Sequence, residues 1–265
     1  MKKIYPKIDW LESWKISYFY DSLEIYGEKT YPGYFYAYKQ RYEKTLALIQ
    51  KVAYPGCKIL DVAAAQGNFS LALAEIGYDI TWNDLRSELI DYVKLKWEYG
   101  SISYMPGNVF DLSFEAAFDI ILIAEVIEHT AHPDQFLKKI AAMVKPNGYI
   151  VMSTPNGGYF RNQLPKFSDC LDPSLFESIQ FSPDADGHIF LLHIDEIFSL
   201  SKSAGLQILE VSLFSNPLTN GHIKLAALLQ FLPSQWIEQC ETWTQNLPLK
   251  LQKKINAGMA VLFKK

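Results

Sequence analysis

Residues 58–70, Lys-Ile-Leu-Asp-Val-Ala-Ala-Ala-Gln-Gly-Asn-Phe-Ser, carry the reading from which the fold follows. Residues 58–62 read as a short buried strand, and a run of small residues then turns the chain into a helix beginning near Asn68. Strand, tight turn and helix N-terminus together make the nucleotide-binding corner of a doubly wound α/β sheet. Asp84 follows about 20 residues on, after a second strand-like run (78–83), where an acid can grip ribose hydroxyls. The competing reading is a plain strand-to-helix turn. Asp84 at the expected spacing, with strand and helix patterns on both sides, favours the binding corner.

The residues that are missing indicate which nucleotide sits there. A dinucleotide site needs glycine where the backbone nears the pyrophosphate, and it holds that anion on the helix N-terminus. Here Ala63 and Ala65 take the two leading positions, and Asp61 at the strand end would repel a diphosphate. A cofactor with no phosphate and a cationic amine suits the corner, and S-adenosylmethionine has both properties. The residues expected to hold it are Asp61, Ala63, Ala65, Gly67 and Asp84, with Ala124 at the end of a later strand. Asn108 and Val109, in the loop after the third strand, are placed at the adenine edge. Arg41, 20 residues before Asp61, is a candidate clamp for the methionine carboxylate, with a surface arginine as the alternative.

Working outward, 265 residues suit one α/β domain with extensions and can bury a substantial core. A formal charge of −4 gives no electrostatic footprint for nucleic acid, so a nucleic-acid partner is not expected. Cys57, Cys170 and Cys240 are odd in number and widely spaced, which suggests a reducing compartment and neither a disulfide framework nor a zinc cluster. The first residues lack the apolar core of a signal peptide, and no run of about 18 apolar residues exists. The expected location is the cytoplasm, without a membrane span.

Strand-like runs at 102–105, 118–124, 149–153, 206–213 and 257–263 alternate with helical patterns at 87–97, 133–144 and 194–204, and 145–148 reads as a turn. The run 118–124 is continuously apolar, as buried parallel strands are. The expected fold is therefore a doubly wound, mostly parallel seven-stranded sheet with right-handed crossovers. Residues 1–50 read as an aromatic-rich helical extension, and 51–265 as the main domain. Within it lie an irregular lid loop (155–193) and a helical insert before the last strand (219–255), a candidate cap or homodimer face.

Ligands in open α/β sheets bind beyond the carboxyl ends of the strands. The segment leaving the most apolar strand is Glu125-Val-Ile-Glu128-His129. On a helical turn, positions i, i+3 and i+4 share a face, so Glu125, Glu128 and His129 are expected to converge above the sheet. Two carboxylates and an imidazole suit a divalent ion such as Mg²⁺, Mn²⁺, Fe²⁺ or Zn²⁺. The alternatives are acids favoured by a helix dipole, a surface histidine, or acid–base chemistry by the same side chains. A fourth ligand is expected from Asp186-Gly187-His188 at the end of the lid, with His188 the candidate. His132 and His193 are weaker candidates, and His222 is assigned no role.

Together these stretches resemble the class I S-adenosylmethionine-dependent methyltransferases over roughly residues 40–210. Residues 61–67 look like their first motif with only Gly67 of its glycines kept, Asp84 matches the ribose acid, and 257–263 is similar to their antiparallel seventh strand. Residues 125–129 (EVIEH) and 153–156 (STPN) are closer still to the ubiquinone-biosynthesis O-methyltransferases and the small-RNA 3′-terminal 2′-O-methyltransferases. Residues 164–167 (LPKF) are similar to the RNA branch as well. The resemblance implies a metal on Glu125, Glu128, His129 and His188, and catalytic roles for His129, Glu128 and His188. The expected activity is O-methylation of a small hydroxylated molecule, a sugar or natural product. The acidic balance weighs against the first alternative, methylation of an RNA 3′ end. A second alternative, prompted by the degenerate loop, is a non-catalytic nucleotide-binding scaffold.

Overall fold

The computed structural model describes every residue except 29–30, 181–186, 221–228 and 230. Asp186 of the lid, His222 and part of the helical insert thus lie outside the described residues. The strands are β1 (Lys58–Val62), β2 (Asp79–Asn83), β3 (Ser101–Tyr104), β4 (Phe118–Ala124), β5 (Val144–Pro155), β6 (Gln207–Phe214) and β7 (Gly258–Lys264). The helices are α1 (Glu12–Glu24), α2 (Pro32–Val52), α3 (Asn68–Ile76), α4 (Leu89–Lys96), α5 (Pro133–Met143), α6 (Ile194–Ser203), α7 (Ser234–Gln245) and α8 (Leu249–Ile255).

The strands form one sheet in the order β3-β2-β1-β4-β5-β7-β6, with β7 antiparallel to both neighbours and the pairs from β3 to β5 parallel. Alternate residues of the central strands face opposite cores, so both faces must be apolar. Leu60, Val62, Ile121 and Ile123 pack with Phe136, Leu137 and Ile140 of α5 and Ile197 and Leu200 of α6. Ile59, Ile120 and Leu122 pack on the other face with Leu48 and Ile49 of α2 and Leu73 of α3. This explains the unbroken apolar run in β4.

One expectation needs correcting. Residues 145–148 do not separate a helix from a strand; β5 already begins at Val144. The register passes from Phe118 opposite Val144 to Ile120 opposite Tyr149, so the extra residues bulge out of the ladder. Asn147 takes the left-handed backbone (φ 64°) that such a loop needs, and Lys145 Nζ donates to Asp119 at 2.7 Å.

The N-terminal segment is fastened to the main domain by a buried ion pair. Lys96 of α4, fully buried, donates to Asp21 of α1 at 2.6 Å and to Asn68 of α3 at 2.7 Å, and Tyr92 donates to the same Asp21 oxygen at 2.7 Å. Trp10 and Trp14 meet Tyr92 edge-on at 5.8 Å, closing the contact with aromatic surface. Among the described residues, no helix is long and apolar enough to cross a membrane.

Candidate active site

The corner after β1 keeps the backbone of a glycine loop without its glycines. Ala63 (φ 53°), Ala65 (φ 46°) and Gly67 (φ 72°) all occupy the left-handed region. For an alanine that conformation costs roughly 1–2 kcal/mol. At Gly67 a Cβ would stand 2.9 Å from both Val93 methyls, so only glycine fits. Gly67 therefore shapes the turn from behind the cavity wall. Asp61 is buried and accepts from Ser70 Oγ at 2.6 Å. Burial pushes its carboxyl up to about 7, with the Ser70 bonds opposing and the Asp84 charge adding. Asp84 Oδ2 accepts the Ala65 N–H at 2.9 Å, so Asp84 and the loop are locked together. Arg86 also grips Asp84, through Nε at 2.9 Å and Nη2 at 3.2 Å.

A cavity of about 580 Å³ opens over these groups, with Asp61, Ala63, Ala65, Asp84, Ala124 and Arg41 in its wall. Asn108 and Val109 are not there, which corrects the adenine assignment. Asn108 Oδ1 accepts the Phe110 N–H at 3.1 Å and caps the short turn of Val109–Asp111, while Val109 is buried in the core. The neighbouring loop is held instead by Asn83, whose amide donates to the carbonyls of Met105 (2.7 Å) and Gly107 (2.9 Å).

The roof of this cavity escaped the sequence reading. Glu24 of α1 accepts from Gln66 at 3.0 Å, Asn68 at 3.1 Å and Tyr34 at 2.7 Å, tying the N-terminal helix to the loop after β1. Burial raises its carboxyl above the usual range, with the Arg41 charge opposing. Arg41 lies 3.9 Å from Glu24 and 3.1 Å from Glu125. A helical glutamate in an aromatic-rich extension carries no local motif, so only the packing of α1 reveals it.

After β4 the backbone does not run straight into a helical turn. Glu125 has φ 55°, and the short helix begins only at Ile127 (Ile127–His129). This reversal sends Glu125 toward Arg41 and Ser153 Oγ, which donates at 3.0 Å. Glu128, fully buried, points the other way and accepts from Thr154 Oγ1 at 3.0 Å. Burial, reinforced by the Glu125 charge, raises its carboxyl well above the usual range. Its second oxygen, Oε1, is buried without a partner. Ser153 and Thr154 of the STPN stretch thus each position one carboxylate, and Asn156 is spent on the carbonyls of Lys253 (2.9 Å) and Asn256 (2.7 Å).

The lid returns against this turn. Ile189 N–H donates to the Glu128 carbonyl at 2.8 Å, and this bond sets His188 beside His129, ring centroids 5.0 Å apart. Phe190 anchors the lid from below, meeting Phe167 at 5.4 Å and Phe176 at 5.3 Å. Ligand atoms of Glu128, His129 and His188 lie within 4.8 Å of one another. Glu125 is not part of that group, because its left-handed backbone turns it to Arg41; the expected convergence of four ligands is a convergence of three. His132 pairs with Glu177 at 2.7 Å, and the His193 N–H donates to Glu196 at 2.8 Å in a helix cap, so neither joins the cluster.

A second cavity of about 430 Å³ adjoins the first over β5, β7 and β6, with Pro155, Gly258, Phe214 and Ser215 in its wall. Tyr34, Tyr38, Arg41, Glu125 and His188 line both, and so mark the seam between them. Methyl transfer needs two molecules brought together at one reactive atom, and the paired cavities supply that arrangement. A family described as a methyltransferase domain matches residues 34–211. The chain belongs to this family.

The methyltransferase is 29% identical over 187 residues to the ubiquinone biosynthesis O-methyltransferase of Coxiella burnetii (strain Dugway 5J108-111), a match covering 64% of this chain and 73% of that one. It is 34% identical over 110 residues to the protein of the same name from Xanthomonas campestris pv. campestris (strain B100), covering 40% and 46%. The second match therefore spans less than half of that relative's length. Among solved structures it resembles the SAM-dependent methyltransferase of Archaeoglobus fulgidus (TM-score 0.54, 15% identity, 94% of this chain and 99% of that). It also resembles the S-adenosylmethionine-dependent methyltransferase of Mesorhizobium loti (TM-score 0.54, 15% identity, 84% and 96%). At such identities the likeness is one of fold. The methyltransferase uses S-adenosylmethionine, and the first cavity is the candidate for it. Its wall holds buried Asp84, the loop carries no anion-binding glycine cluster, and Arg41 has a buried Nε without a partner.

Proposed function

We propose that this methyltransferase acts on a hydroxyl group of a small molecule, with a divalent ion held by Glu128, His129 and His188. The observation that carries the reading is that trio, gathered within 4.8 Å, with His188 in the wall of both cavities, His129 in that of the first, and Glu128 Oε1 buried and unpartnered beneath them. A buried acceptor without a donor is costly, and a cation relieves it. When bound, such an ion lowers the pKa of an alcohol and orients it.

The chain's own residues do the rest. Asp84 and Asp61 hold the cofactor's ribose and methionine ends in the first cavity, Ala63, Ala65 and Ala124 form its wall, and Arg41 takes the methionine carboxylate. Thr154 fixes Glu128, and Ser153 keeps Glu125 on Arg41. His129 Nδ1 lies 3.2 Å from the Gly187 carbonyl, which can only accept, so the proton sits on Nδ1 and the lone pair on Nε2. In the transfer, the acceptor oxygen forms the new C–O bond as the methyl–sulfur bond breaks with its electron pair left on sulfur. The hydroxyl proton is lost to bulk solvent as the acceptor docks, because His129 and His188 are both assigned to the ion.

The test is Glu128→Gln and His129→Ala, measured with S-adenosylmethionine binding beside turnover. Loss of turnover on the order of 10²–10⁴-fold is expected with cofactor affinity unchanged. Full turnover in chelator, with no metal found in the protein, would remove the ion. Cofactor binding without transfer to any hydroxylated acceptor would remove O-methylation.

A further inference from the structure

Resting on the reading of the first cavity as the S-adenosylmethionine site, we propose that Arg86 sets cofactor affinity by competing with the ribose for Asp84. The carboxylate positions that a ribose diol needs are those that the Arg86 guanidinium holds.

The first observation is saturation. Asp84 Oδ1 accepts the Arg86 N–H and Arg86 Nε, each at 2.9 Å, while Oδ2 accepts the Ala65 N–H at 2.9 Å and Arg86 Nη2 at 3.2 Å. A carboxylate offers about four lone-pair sites, so every one is engaged. Two of these donors are main-chain groups. The Arg86 N–H closes a turn in which an aspartate side chain binds the backbone two residues on, and the Ala65 N–H belongs to the loop after β1. Held by those two bonds and buried, the carboxylate is fixed in orientation.

The second observation is the pattern of the remaining two bonds. Nε and Nη2 of one guanidinium fall one on each oxygen, the fork that arginine makes with carboxylates. The neighbouring 2′ and 3′ hydroxyls of a ribose make the same pattern with two O–H donors. Diol and guanidinium therefore claim the same places, and seating the nucleoside means releasing the arginine.

The third is freedom to leave. The Arg86 side chain is 37% exposed against 4% for Asp84, and both lie in the wall of the same cavity. Among the described residues, Asp84 is the one ion-pair partner of Arg86. The cofactor is cationic, so a guanidinium in the wall adds no attraction for it. Because the demethylated product carries the same ribose, the competition lowers its affinity too and limits inhibition by product.

The experiment is calorimetry on the full chain and on Arg86→Met and Arg86→Lys, with S-adenosylhomocysteine and its 2′,3′-dideoxy analogue as probes. Arg86→Met is expected to bind S-adenosylhomocysteine about five- to tenfold more tightly than the parent chain, and the dideoxy analogue within about twofold of it. Arg86→Lys should fall between parent and Arg86→Met, because a single ammonium cannot span both oxygens. A merely structural role for the Arg86–Asp84 pair would weaken both probes alike. Unchanged or weaker binding of S-adenosylhomocysteine in Arg86→Met, or equal tightening of both probes, overturns the proposal while leaving the cofactor reading in place. No binding of either probe by any of the three chains overturns both.

Discussion

The two halves of the carboxyl edge are built differently. The half over β1, β2 and β4, proposed above to take the cofactor, has a floor of one contiguous stretch, residues 61–69, plus Asp84. The acceptor half, over β5, β7 and β6, gathers residues 155–164, 188–191, 214–220 and 257–258, which meet only after the sheet has closed. Each half has its own buried anchor. Asp21 and Lys96 fasten α1 above the cofactor half, and Glu241 fastens the loop after β6 beside the acceptor half. The contrast implies that cofactor binding and acceptor recognition can be damaged separately.

The largest effects should come from the anchors. Lys96→Met leaves buried Asp21 without its cation and with only Tyr92 donating to it, which costs about 3–5 kcal/mol, or roughly 10 °C of Tm, and weakens S-adenosylmethionine binding as the α1 roof loosens. Glu241→Ala strands the backbone N–H groups of Ser215 and Asn216, so a drop of several degrees in Tm is expected. Its cofactor Kd should nevertheless stay within about twofold, because no cofactor-half residue is touched. Cofactor affinity falling equally in both variants would erase the division between halves.

A middle-sized effect is expected from pH. The Asp61 carboxyl, pushed up to about 7 against an ordinary 3.8, favours the protonated form in the folded chain. Its contribution to stability is therefore full below about pH 4 and is lost as pH rises through 7. The cationic cofactor favours the ionised form, so its binding should tighten with rising pH through 7 and release a proton. Calorimetry in buffers of different ionisation enthalpy reads that proton, and Asp61→Asn should abolish it. An affinity flat from pH 6 to 8 in the parent chain would contradict this account.

The smallest effect sharpens the reading of the loop. Ala63→Gly and Ala65→Gly relieve left-handed alanines and, because glycine also frees the unfolded chain, should stabilise by only about 0.5–1 kcal/mol each. Thermal unfolding checks the sign. Destabilisation by both would mean that the alanine methyls contribute packing that outweighs the strain.

Local pattern made the cofactor half legible: strand 58–62, the turn, and an acid at the next strand end are close enough in sequence to read directly. The same reading misplaced Asn108, because its side chain satisfies a backbone N–H at a cap and the code for a cap is a short-range competition between local partners. It also put Glu125 with Glu128 on one helical face, whereas φ 55° at Glu125 parts them. Left-handed backbone in a non-glycine residue leaves no signature in residue type, and nor does the clamp that enforces it.

By itself, then, the order of amino acids determined the alternation of strands and helices, the parallel core and the strand-turn-helix corner after β1, because apolar periodicity and turn chemistry act over a few residues. Tertiary structure alone decided that Glu24 reaches the loop after β1, that Glu125 turns to Arg41, and that the Ser215 hydroxyl is buried without a partner. Those contacts join segments tens to hundreds of residues apart, and closing such loops is governed by the packing of the whole sheet, which no local stretch encodes.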